Sequence, residues 1–241
     1  MNRDRDSSER PDPRAGEGSA DTGDYPSPLA DPQTVGALLA RDRRTAGTAL
    51  RAEGPDRTYS YRNFVTTTYK AGNVLRHLGV RRGEEVLVVP DPMPEPVLAF
   101  YGAAQLGAVT RFSDTDPSTS PRVVVAPADR EGAFDLAPGQ HLVVYGGSPA
   151  ESTTTHWETE VWSENPAVHP TDVAPDDSLL AVGDRTVSHA EALSGVSNGR
   201  DDERPTPGEQ VVVSGSFTDP DVVVEGLVEP IAAGATITLV E

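Results

Sequence analysis

Apolar residues in this chain fall into short runs whose spacing alternates between helical and strand-like. Phe64, Thr68, Ala71, Leu75 and Leu78 recur every three or four positions and so share one face of a helix. Ser60 offers an N-cap oxygen and Gly79 a stop, so the pattern predicts a helix from Tyr61 to about Leu78. Glu85 to Val89 then reads as a buried strand, closed by Pro90, Pro92, Pro94 and Pro96. Val97 to Leu106 reads as an almost wholly apolar helix ending at Gly107. Ahead of these, Asp31 and Thr34 frame a helical start with Val35, Leu38 and Leu39, a unit ended by Gly54 and Pro55. Downstream, Val123–Val125, Leu142–Tyr145, Leu179–Val182, Val211–Val213 and Ala235–Val240 are strand-like. Ser188 to Leu193 and Asp221 to Ala233 are helical, and Asn198 to Pro207 is a polar loop. Helix and buried strand in alternation predict an α/β fold: a mainly parallel sheet with flanking helices.

Residues 1–28 break this pattern. They mix Asp, Glu, Arg, Ser, Gly and Pro with hardly an apolar side chain, and are expected to be a disordered acidic tail before one domain over 29–241.

The chain has 241 residues, with 20 basic against 38 acidic side chains and a formal charge of −18. That balance excludes a nucleic-acid backbone binder and a domain that docks on anionic membranes. No apolar run reaches the length of a membrane span, and the N-terminus lacks the apolar core of a signal peptide, so a cytoplasmic location is expected. Without cysteine there is no disulfide, thiolate metal site or cysteine nucleophile. Lys70 is the sole lysine among the 20 basic residues. An acidic, lysine-poor, Val/Ala-rich composition resembles that of salt-in haloarchaeal proteins, whose carboxylates keep the surface hydrated.

The local motifs are weak. Gly195-Val196-Ser197-Asn198-Gly199 matches the G-x-S-x-G of hydrolases, but that elbow needs a strand before the serine, whereas here a helical segment precedes it and no histidine follows. His77, His141, His156, His169 and His189 show no metal-ligand spacing and read as scattered surface imidazoles. Asp176-Asp177 and Asp201-Asp202-Glu203 read as solvated loops, and Gly146-Gly147-Ser148, which lacks a P-loop lysine, as a turn. No metal site or cofactor is expected.

In order along the chain, six segments resemble the N-terminal portion of AMP-dependent synthetases, the adenylate-forming superfamily of acyl-CoA synthetases, luciferases and peptide-synthetase adenylation domains. Ser60 to Phe64 is similar to T/S-Y-x-E-L, and LRHLGVRRGEEV (75–86) to the passage into the family's first buried strand. LAFYGAAQLGAVTRFSDTD (98–116), HLVVYGG (141–147), DVAPDDSLLAV (172–182) and IAAGATITLVE (231–241) follow in family order. The resemblance implies a Ser/Thr/Gly-rich loop after Val182 that holds ATP phosphates. Here Val182, Gly183, Asp184 and Arg185 stand at that place and run on towards a V-x-H segment, so the loop is read as deleted. An aspartate at 184 would repel phosphate, Arg185 alone cannot replace a row of amides, and Lys70 matches neither family lysine.

These readings lead to a catalytically degenerate homologue that acts as a binding or regulatory module, with no catalytic residue assigned. The alternative is one subunit of a split acyl-CoA synthetase completed by another chain. A homo-oligomer or protein partner is expected through an unpaired edge at Ala235–Val240, and a small acyl ligand is conceivable on the resemblance alone. The composition yields its own test. Carboxylate repulsion opposes the compact state at low ionic strength and molar salt screens it. Cooperative unfolding is expected above about 1 M KCl, with partial unfolding or aggregation near about 0.1 M. Equal stability by circular dichroism in both would remove the halophilic reading.

Overall fold

The computed structural model describes residues 24–114, 120–168, 170–183, 185–198 and 204–240, with the backbone alone at 195–198. Two short 3-10 turns, Val35–Leu39 and Arg41–Arg43, open the fold. Then follow β1 (Thr48–Ala52), β2 (Arg57–Ser60), α1 (Tyr61–His77), β3 (Glu85–Val88), α2 (Pro94–Gln105), β4 (Val109–Phe112), β5 (Val123–Pro127) and β6 (His141–Tyr145). The second half holds β7 (Thr155–His156), α3 (Trp157–Ser163), β8 (Ser178–Val182), β9 (Arg185–Ser188), α4 (His189–Asn198) and β10 (Gln210–Val213). A continuous helical stretch closes the run: α5 (Pro220–Val223), a π-helical turn (Val224–Val228) and α6 (Glu229–Ala233), before β11 (Thr236–Leu239).

The strands form two sheets. The larger has the order β7-β6-β5-β3-β4-β8-β9, parallel throughout except for the antiparallel edge β9. The smaller has the order β10-β11-β1-β2, in which β11 pairs in parallel with both neighbours and β2 closes an antiparallel hairpin. The expectation of an α/β fold with mainly parallel sheet holds.

Alternation along β3, β5 and β6 explains why their sequences are apolar throughout. Val86, Val88, Val123, Val125, Val143 and Tyr145 face the main core, whereas Leu87, Val124, Leu142 and Val144 face a second cluster with Phe134. Both faces are covered, as in parallel sheets generally.

The centre of the main core is α2, every residue of which is buried. It meets α1 at closest approach through Gly102, where an added Cβ would stand 2.8 Å from the backbone nitrogen of Gly72. Phe64 and Tyr101 pack edge to face across this crossing at 5.2 Å. The buried tyrosine hydroxyls find carbonyls: Tyr61 donates to Ala235 at 2.6 Å and Tyr101 to Leu227, in the π turn, at 2.7 Å.

Several expectations are corrected. The tail boundary at 28 falls too late: Gly47 N–H donates to the Asp24 carbonyl at 2.7 Å, Pro26 is buried, and Leu29 N–H donates to Ala232. Arg43, 4% exposed, ties this segment down by donating to Ser27 and Ile231 carbonyls at 2.7 and 2.5 Å. Gly54 and Pro55 do not end a helical unit but lie in the turn between β1 and β2, two strands too short to carry a clear alternating signal. The helix placed at Val97 begins at Pro94, because in the first turn the missing proline N–H has no helical partner to lose. The segment Ala235–Val240 does not present an unpaired edge, since β11 lies between β10 and β1. The membrane expectation is met to this extent: among the described residues no helix is long and apolar enough to cross a membrane.

The α1–α2 crossing can be tested directly. Gly102→Ala forces a methyl against the Gly72 backbone and is expected to destabilise the fold by about 1–3 kcal/mol. Ala103→Gly, one position along the same buried helix, removes volume without that clash and controls for helix propensity. Urea unfolding with equal midpoints for Gly102→Ala and the parent would show that the two helices separate freely.

Candidate functional site

The residues marked in the sequence come together at the β8–β9 hairpin. Val182 pairs with Arg185 across the ladder, so only positions 183 and 184 connect the strands. Gly183 takes φ of +55°, the left-handed conformation that such tight hairpin turns require. Asp184 lies outside the described residues. The Gly183 carbonyl accepts from Arg111 Nη1 at 3.2 Å, and Arg111 Nε pairs with Glu85 Oε2 at 3.1 Å. Arg185 reaches forward to Glu191 Oε1 at 2.8 Å, and that hydrogen bond raises its pKa above the ordinary arginine value. Both cations flanking the turn therefore have carboxylate partners. A two-residue connection also has too few amides to surround a polyphosphate.

The chain does not run directly from the turn into a helix, as the sequence suggested. Arg185 to Ser188 forms β9 first, and Ser188 Oγ then accepts from Glu191 N–H at 3.1 Å, capping α4. His189 follows, and here the reading as a surface imidazole is overturned. The residue is fully buried, and its Nδ1 accepts from Val35 N–H at 3.1 Å. No local pattern marks it, because its partner lies 154 positions earlier.

The remaining candidates stay apart. His77 and His156 pair with Glu164 and Glu158 at 3.0 and 3.1 Å, His141 is half-buried, and His169 lies outside the described residues. Among the described residues no group of three His, Cys, Asp or Glu could hold a metal ion. Asp177 pairs with Arg82 at 2.7 Å, and this hydrogen bond leads the causes that lower its pKa. The Gly146 N–H that ends β6 donates to the protein's own Glu158 carboxylate at 2.7 Å. The G-x-S-x-G segment falls at the C-terminal end of α4, so a helix does precede it; Gly199 and the acidic run 201–203 lie outside the described residues.

A second polar cluster went unnoticed in the sequence. Arg57 on β2 donates to Glu95 Oε1 at 2.5 Å and to the Tyr59 hydroxyl, with the Glu95 side chain only 1% exposed. An isolated glutamate between two prolines gives no signal of burial; its partner comes from the other sheet.

Comparison with known proteins gives this geometry its family. Residues 40–177 match the family of AMP-binding enzymes, and the chain belongs to that family. The match stops one residue before β8, short of the hairpin. Over 77 residues, 32% of this chain and 14% of the relative, it is 36% identical to the 3-hydroxybenzoate–CoA/4-hydroxybenzoate–CoA ligase of Thauera aromatica. Over 57 residues, 24% of this chain and 9% of the relative, it is 32% identical to acetyl-coenzyme A synthetase of Xylella fastidiosa. The fold resembles an anthranilate CoA ligase, AuaEII, solved with anthranoyl-AMP: TM-score 0.73 at 19% identity, covering 91% of this chain and 46% of the ligase. It also resembles the N-terminal domain of FACL13 from Mycobacterium tuberculosis, with TM-score 0.68 at 19% identity over 85% of this chain and 56% of that one. The chain thus spans about half of these solved relatives or less. The resemblance to adenylate-forming ligases read from the sequence is confirmed, as is the likeness to their N-terminal region.

His189 supplies a pH prediction. Burial lowers its pKa from 6.5 to about 4, against a smaller opposing pull from Asp177. Between these values the unfolded chain takes up a proton that the folded chain refuses, so stability falls as pH drops from 6.5 towards 4. The loss amounts to about 3 kcal/mol. In molar KCl, His189→Gln keeps an acceptor for Val35 N–H without the titration, and is expected to lose less stability than the parent from pH 7 to 4.5. Parallel pH profiles for the two proteins would show that His189 does not report this burial.

Proposed function

We propose that this chain is a catalytically degenerate member of the AMP-binding family that acts as a binding or regulatory module. The family membership and the ligase relatives establish an adenylate-forming ligase framework. The observation that carries the finer reading is the β8–β9 connection, which has two residues where the family resemblance implies a loop that holds ATP phosphates. Acyl adenylation rests on fixed donors that stabilise charge on the transferring phosphates, and that electrostatic term is usually the largest in such catalysis. The nearby cations face Glu85 and Glu191, and the sole lysine, Lys70, sits on α1 and donates to the Trp162 carbonyl at 3.0 Å. None of these groups is set to bind ATP.

A second reading is one chain of a split acyl-CoA ligase. It is favoured by the family match over 40–177 and by the solved ligases that share the fold. Titration with Mg-ATP and acid-dependent ATP–pyrophosphate exchange, both in molar KCl with a panel of carboxylic acids, separate the two. A degenerate module is expected to show no exchange and no saturable ATP binding below about 1 mM. Micromolar ATP binding that disappears in Arg185→Ala would overturn this reading in favour of the split enzyme.

A further inference from the structure

A cleft of about 470 Å³ opens between α1, α3 and the edge strand β2, with none of its lining residues in the β8–β9 hairpin. It lies near the carboxyl ends of β3 and β6, because Glu95 is in the first turn of α2, which follows β3, and Glu158 is in the first turn of α3, beside β6. In open parallel sheets this end is where ligand crevices form.

Its walls are aromatic and aliphatic, with Trp157 and Leu98 buried and Trp162 at the mouth, 85% exposed. The polar groups are unevenly committed. Arg57 is spent on Glu95 and the Tyr59 hydroxyl, and Lys70 donates to the Trp162 carbonyl. Glu95, however, is fully buried and its second oxygen, Oε2, has no partner. Leaving a buried carboxylate oxygen unpaired is costly, and the cost is recovered when a donor arrives. Glu158 adds a second carboxylate to the same cleft; its Oε1 accepts from Gly146 N–H at 2.7 Å and its Oε2 faces His156 Nε2 at 3.1 Å, so it offers an incoming ammonium its charge and its remaining lone pairs, not an unpartnered oxygen.

We propose that this cleft binds a small aromatic or alkyl amine, the ammonium group donating to Glu95 and Glu158 and the apolar body lying against Trp157, Leu98 and Trp162. A carboxylate ligand of the same shape fits poorly. It has no N–H to offer Glu95 Oε2, and Arg57 and Lys70, the two cations of the lining, already donate to Glu95, the Tyr59 hydroxyl and the Trp162 carbonyl. Aromatic faces around a cation add to the preference. The site is separate from the one that bears on ATP, and goes beyond the reading of the chain as a degenerate ligase.

The chain's two tryptophans both line the cleft, so intrinsic fluorescence reports on it directly. Titration in molar KCl with 2-phenylethylamine is expected to give a saturable change with Kd of about 1 mM or tighter. Phenylacetate, its carboxylate counterpart, is expected to give none over the same range. Glu95→Gln keeps the acceptor for Arg57 but removes the free oxygen, and is expected to weaken the amine by about tenfold. Should that variant fail to fold by circular dichroism, Glu158→Gln at the partly exposed carboxylate is expected to weaken it several-fold. The proposal is overturned by no saturable response to the amine by about 10 mM, by phenylacetate binding as tightly, or by undiminished affinity in a folded carboxylate variant. No nucleotide is present, so the outcome stands apart from the ATP titration.

Discussion

The fold rests on one close approach, that of α1 to α2 at Gly102 and Gly72. Because α2 is buried on every side, it cannot shift away from α1 without opening a gap against one sheet or the other. Two small residues at the crossing let the helix backbones come near enough for Phe64, Phe100 and Tyr101 to interlock. The same helix then fixes what lies at its two ends. At its start, Glu95 is drawn into the interior to meet Arg57 from the smaller sheet. Further along, the Tyr101 hydroxyl meets the π turn at Leu227, which joins the last helical stretch to the core.

The two polar sites differ in how they relate to this core. The β8–β9 hairpin lies at the sheet edge, where a change in loop length leaves the packing intact. On the function proposed above, that is how a family framework persists with a two-residue connection at this place. The Arg57–Glu95 pair instead joins the edge strand of the smaller sheet to α2, with Glu95 buried and Arg57 partly exposed. Replacing such a pair with apolar groups is often neutral for stability, whereas a half-satisfied carboxylate is not, so its presence asks for a role.

Much of this was legible in the sequence where local pattern and tertiary burial agree. The Ser60 cap holds, with its oxygen accepting from Asn63 N–H at 3.2 Å, and Phe64, Thr68, Ala71 and Leu75 are buried as their spacing required. The valine runs of β3 and β5 are legible for the same reason. What escaped notice has its cause in distant pairing. β2 (Arg-Thr-Tyr-Ser) and β9 (Arg-Thr-Val-Ser) are polar strands that exist because a neighbouring strand supplies their hydrogen bonds. His189 is buried by Val35, and Glu95 by Arg57, neither of which is near in sequence. Residues 182–185 stood out as the place of a shortened connection, but the strand β9 that makes it a hairpin did not; nor did the second cleft, since its walls come from three separated segments.

The pairing of β1 with β11 carries a consequence for how such a chain comes to be folded. Leu50 and Ile237 are register partners at nearly opposite extremes of the described chain. During synthesis β1 can pair with β2 and pack on α1 and α2, but its other edge stays open until β11 has been made. The larger sheet, whose strands mostly join neighbours close in sequence, can assemble ahead of it. The smaller sheet thus closes after the larger one, and β1 waits with one hydrogen-bonding edge bare. Contacts of such long range make folding slow, and the dense surface charge gives these half-made chains a means of repelling one another while they wait.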